Sequence, residues 1–200
     1  VALAMLVALV AAGCARPAPL PRPGNGGLTS VPGRVLVVAR QISPENRGIA
    51  DRGAELVAQG LRPAGEVWEV AELLREAAAA GATPWALSLA QRLAVGGFPA
   101  MDDRVELLKF AVTGLIVTEV TMYDQVWGKY AKFTRVGIEA RAFDVIAGAV
   151  VWRVHRGVEV EDLRGRAFDR GIESAVNDLL AAIAPGTTYS AMDLWRSWRR

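Results

Sequence analysis

The stretch Arg135 to His155 constrains the fold most, because apolar and polar residues alternate along it on either side of one turn. Val136, Ile138, Ala140 and Ala142 share one side of its first half, and Val150, Trp152 and Val154 share one side of its second. A period of two puts these side chains on one face of an antiparallel hairpin closed at Ala147-Gly148. Asp144 suits that turn because its carboxylate accepts backbone N–H bonds, and Gly148 because it tolerates positive φ. A hairpin with one apolar face is marginal alone and needs a covering layer. The segment from about Arg166 to Ala184 offers one: Phe168, Ile172, Val176, Leu179 and Ile183 form a helical stripe, and Pro185-Gly186 stops it.

Val112 to Met122 reads as a third strand of the same antiparallel meander, with one buried side. Upstream, Val35 to Ala39 is a continuous β-branched run that suits a buried strand. Ile49, Gly53, Leu56, Val57 and Leu61 recur at helical spacing before Gly65, and Glu66 to Val70 reads as a short strand. Ala71 to Ala80 and Pro84 to Val95 read as helices, with Pro84 in a first turn. Asp102 to Ala111 reads as a third, capped by Asp102 or Asp103. The order strand, helix, strand, helices, three strands, helix predicts an α/β (α+β) fold over residues 34–185. The expected form is a two-layer sandwich: a mixed sheet of about five strands with helices packed on it.

The start of the chain follows different rules. Val1 to Gly13 carries no charge and no proline, and the only cysteine, Cys14, comes next. As a helix it would reach about 20 Å, short of the roughly 30 Å hydrocarbon core of a bilayer. Ala11-Ala12-Gly13-Cys14 resembles the lipobox of bacterial lipoproteins, with Ala11 where leucine is usual. The resemblance implies cleavage between Gly13 and Cys14, a signal peptide over 1–13, and covalent diacylglycerol and N-acyl lipid on Cys14. No initiator Met or charged n-region precedes Val1, so the chain is expected to begin within its signal. Residues 14–33 follow as a lipidated Cys and a Pro/Gly-rich tether, with Pro17, Pro19, Pro21, Pro23 and Pro32. Ala15 stands where aspartate would favour inner-membrane retention, which implies the outer membrane, periplasmic face. A single cysteine leaves no disulfide within the chain.

From about residue 34 to 184 the sequence resembles a group of bacterial envelope proteins that includes the N-terminal domain of TolB, LpoB, CsgG and PelC. Thr113 to Tyr123 resembles the group's apolar-Gly-apolar strand ending near Tyr, and Ile138 to Trp152 its strand, Asp, turn Gly, strand, Trp hairpin. The resemblance implies a docking domain used in assembly, activation or secretion. It also implies envelope-complex partners and homo-oligomers.

The chemistry-bearing residues are few. His155 is the only histidine and stands beside Arg153 and Arg156, as an exposed strand residue would. There is no Gly-x-Ser-x-Gly, His-Glu-x-x-His or Walker-type loop. Asp102, Asp103 and Glu106 suit a helix start, and Glu159, Glu161 and Asp162 a solvated loop. These readings predict a non-catalytic protein with no metal site and no cofactor beyond the lipid. A formal charge of +2 gives no reason to expect nucleic acid.

Two aromatic segments are candidate contact surfaces. In the connection from Tyr123 to Phe133, Trp127 and Tyr130 sit among Lys129 and Lys132. Either they meet a partner or headgroups, or Tyr123 and Phe133 pair inward across strands and leave Trp127 exposed. In the basic tail 186–200, Trp195 and Trp198 lie three apart beside Arg199, which suits an anionic surface or acidic groove. The expected function is that of an outer-membrane-anchored periplasmic accessory. The alternative is an auxiliary that carries a lipid or small ligand in an apolar pocket.

Overall fold

The computed structural model of the chain describes residues 33–41, 47–129, 132–161 and 167–183. Strand β1 (Arg34–Arg40) leads to helix α1 (Arg47–Leu61), a 3-10 turn at Arg62–Ala64 and the short strand β2 (Val67–Glu69). Three helices follow, α2 (Val70–Ala79), α3 (Thr83–Ala94) and α4 (Met101–Lys109). The long strands β3 (Val112–Trp127), β4 (Lys132–Asp144) and β5 (Ala149–Glu161) precede helix α5 (Ala167–Ile183). The strands form one sheet in the order β2-β1-β3-β4-β5. Strand β1 lies parallel to β2 and β3, and β3, β4 and β5 run antiparallel. The α/β class and the mixed five-stranded sheet are as expected.

Period-two alternation gives the sheet two chemically distinct faces. On the first, Val35, Val37, Ile116, Val136, Ile138, Ala140, Trp152 and Val154 meet α1 and α5 in one buried cluster. Helix α5 contributes Ile172, Val176, Leu179 and Ile183, four members of the stripe read from its sequence. Helix α1 meets α5 at Gly60, where a Cβ would fall 2.2 Å from Leu180 Cδ1. The missing side chain sets how closely those helices pack.

On the second face, Leu36, Val38, Leu115, Val117 and Phe143 meet α2, α3 and α4 through Leu73, Leu89, Leu93 and Leu107. Helices therefore cover both faces over β1 and the first half of β3. Fully burying each such leucine contributes about 1.5–3 kcal/mol relative to exposure. Beyond that region no described helix covers the second face, and among the described residues Thr121, Met122, Asp124, His155, Gly157 and Glu159 are exposed.

Three sequence readings need correction. Both ends of the connection read from Tyr123 to Phe133 are strand, because β3 continues to Trp127 and β4 starts at Lys132. Glu159 and Glu161 lie on β5 rather than in a loop, because the alternation continues through Val158 and Val160. Helix α4 starts at Met101 with Ala100 as its N-cap. Asp103 acts from within the first turn, accepting the Ala100 N–H at 2.9 Å. The Asp144 and Gly148 readings agree with the structure. Asp144 Oδ1 accepts the N–H groups of Ile146 (2.8 Å) and Ala147 (2.9 Å), and Gly148 has φ 71°.

Candidate functional site

The open part of the sheet starts where the apolar second face gives way to charge. Pairing aligns Glu119 with Glu139 and Glu139 with His155, and places Arg141 opposite Arg153 one step away. Like charges thus lie opposite one another along two rows, and stability requires diagonal neighbours to neutralise them. They do. Arg40 donates to Glu119 at 2.6 Å, and Arg141 lies 3.5 Å from Glu119. Arg141 and Arg153 converge on Glu139 at 2.5 and 2.6 Å. The ladder crosses β1, β3, β4 and β5.

Glu139 is its centre, with 3% of its surface exposed. Burial pushes its carboxyl up, but the hydrogen bonds from Arg153 and Arg141, with their charges, hold it below the ordinary value. A buried carboxylate held by two guanidiniums is a fixed charge rather than a proton donor or acceptor. Nearby, His155 is exposed, as the sequence suggests, and its Nε2 lies 3.0 Å from Thr121 Oγ1. Thr121 is the extra residue of a bulge between Val120 and Met122. Two further acids lie on this sheet end: Glu159 pairs with Arg135 at 2.5 Å, and Glu161 closes β5.

The far end of the β3–β4 hairpin carries the aromatic candidates. Trp127 is 78% exposed, with Lys132 Nζ 5.3 Å from its ring centroid. Tyr123 lies opposite Val136 and packs on the first-face core, whereas Phe133 lies opposite Val126. Tyr123 and Phe133 are therefore not a cross-strand pair. Their spacing along the ladder puts them on opposite faces.

A cleft of about 460 Å³ opens at the C-terminal end of β1, between the start of α1 and α3. Val38, Leu87, Ala90 and Val95 give it apolar walls, and Gln41, Asp51 and Gln91 are its polar groups. The crevice beyond the carboxyl ends of parallel strands is a common ligand position in α/β sheets. Among the described residues no three His, Cys, Asp or Glu side chains stand together as a metal site. No described helix is long and apolar enough to cross a membrane. Gly13, Cys14, Tyr130, Trp195, Trp198 and Arg199 lie outside the described residues.

The sequence had signals for what was missed. Polar residues alternate with Val154, Val158 and Val160 on either side of Arg156-Gly157, which marks a strand with one polar face. The burial of Glu139 has no local sign, because Arg135, Gly137, Glu139 and Arg141 read as an ordinary solvated face.

No family model matches the chain, and no curated protein matches it. Solved structures do. The PelC dodecamer from Paraburkholderia phytofirmans is similar over 84% of this chain and 94% of that chain, at 14% identity and a TM-score of 0.49. Lipoprotein GNA1162 from Neisseria meningitidis is similar over 74% and 98%, at 18% identity and a TM-score of 0.49. The LpoB C-terminal domain from Salmonella enterica is similar over 67% and 96%, at 13% identity and a TM-score of 0.34.

Proposed function

We propose that the chain is a lipid-anchored docking module of the bacterial envelope, a non-catalytic accessory to an assembly, activation or secretion complex. In this reading Cys14 carries the lipid and residues 15–33 give the domain reach from the periplasmic face of the outer membrane. The sheet end formed by β3, β4 and β5 meets partner proteins, including further copies of the chain. The observation that carries the reading is the exposure of Trp127 at the tip of a hairpin whose root is buried on both faces. Aromatic anchors on a rigid, solvent-facing support are the groups that dominate protein contacts. The central ionisable side chains, by contrast, are consumed by one another in the ladder.

The test is site-specific photocrosslinking from position 127 in the full-length protein in intact envelopes. A discrete protein adduct at 127, absent when the crosslinker is placed at the exposed Arg75 of α2, is expected. Equal labelling at both positions, or none at 127, contradicts a docking role for the hairpin.

A second reading rests on the cleft at the end of β1. Its apolar walls and few polar groups suit a small lipid or other apolar ligand. Native mass spectrometry of protein taken from membranes would show an adduct that Ala90→Trp abolishes. An adduct indifferent to that substitution removes this reading.

A further inference from the structure

The two edges of the sheet are unequal. Strand β2 closes one side with three residues, whereas β5 leaves thirteen on the other. A long edge exposes unpaired backbone N–H and C=O groups, and proteins guard such edges with charged side chains. The guard on β5 is divided by sign. Its first half carries Arg153 and Arg156, and its second half Glu159 and Glu161. Gly157 stands at the divide. Such an edge repels an in-register parallel copy and fits an antiparallel one.

We propose that β5 pairs antiparallel with β5 of a second copy about a two-fold axis at Gly157, joining the two sheets. The inference deepens the self-association in the reading above and does not depend on the lipid anchor. In this register Arg153 faces Glu161 and His155 faces Glu159, and symmetry repeats both pairs. On the other side of the sheet Val154 faces Val160, apolar against apolar, and Arg156 faces Val158. Gly157 faces itself, so no two like charges meet at the axis.

Other registers fit less well. Antiparallel partners must lie on the same face, so allowed shifts move the centre by one residue at a time. Centring on Arg156 sets that arginine against itself. Centring on Val158 carries Arg153 past the end of the partner strand. The chain also holds the critical side chains in place beforehand: Glu139 holds Arg153 at 2.6 Å, and Arg135 holds Glu159 at 2.5 Å. Both guanidiniums keep further donors for a second carboxylate.

The experiment is disulfide trapping with Gly157→Cys in the full chain carrying Cys14→Ser, purified in detergent. A Cβ at position 157 meets nothing within the chain closer than 3.9 Å, so the substitution is tolerated. Mild oxidation should give a covalent dimer from Gly157→Cys and none from Ala149→Cys on the same strand. Sedimentation of the chain with native β5 should show a dimer, and Glu161→Lys should weaken it about tenfold. A chain with native β5 that stays monomeric overturns the proposal. So does trapping that is equal at both positions, or absent at 157 in protein with unchanged circular dichroism. If trapping is lost while Cys14-dependent palmitate labelling persists in the native chain, the pairing alone fails. If labelling is lost while trapping persists, the anchor alone fails.

Discussion

Arg153 on β5 reaches across to Glu139 on β4 with Nη2 2.6 Å from Oε2, although the carboxylate is buried and the arginine half exposed. Arg141, on Glu139's own strand, completes the clamp from the other side. The arrangement carries a charge through the part of the sheet where neither helical layer covers both faces. It lets a polar surface continue outward from an apolar core.

Removing the clamp's centre should be costly. Glu139→Ala leaves Arg153 without its carboxylate and Arg141 with only the longer contact to Glu119, and a loss on the order of 3 kcal/mol in urea unfolding is expected for breaking a buried pair. Arg135→Ala, which breaks the exposed pair with Glu159, should cost about 1 kcal/mol or less. Equal effects at the two sites would show that Glu139 is not structurally special.

The ladder also predicts a pH dependence. Glu139 has its folded pKa below the unfolded value, so its contribution is present above the unfolded pKa near 4.5 and is lost as pH falls through the folded pKa. Glu69 works the other way. Burial is the largest cause and raises its pKa, Arg62 opposes it, and Glu72 and Glu55 add to it. Its protonation on folding adds stability as pH falls from the raised folded pKa to the unfolded one. The difference between the native chain and Glu139→Gln should therefore be constant near neutrality and shrink below about pH 4.5. A difference that is flat down to acid denaturation contradicts the assignment.

Asp103 ties α3 to α4. Its carboxylate accepts from the Trp85 indole at 3.2 Å, from Arg92 at 2.5 Å and from the Ala100 N–H at 2.9 Å. Asp103→Ala orphans all three donors, and a loss of about 2–3 kcal/mol is expected by thermal or urea unfolding. Asp103→Asn keeps an acceptor and should recover part of it. If Asn is no better than Ala, the charge, rather than the cap, is what matters there.

The sequence was most legible where structure is local. Asp144 and Gly148 work within one turn, so residue type and spacing were sufficient. The stripe on α5 was equally plain, because burying one face of a helix needs only a 3.6-residue period. The outer ends of β3 and β5 were missed because Asp124 to Trp127 and Arg156 to Glu161 have few buried residues, and Arg156-Gly157 interrupts the alternation. Their strand state is completed by pairing with β4, a relation between distant segments that adds to the local alternation of Val158 to Glu161. Glu139 is the extreme case. Its burial depends on Arg141 beside it and Arg153 on another strand, and its neighbours in sequence look like a solvated face.

The proposed lipid anchor is put to the test by metabolic labelling of a full-length precursor with radioactive palmitate. Label is expected to enter the native protein, to disappear in Cys14→Ser, and to be unaffected by Trp127→Ala. Label that persists in Cys14→Ser, or a native protein that takes up none, would contradict it.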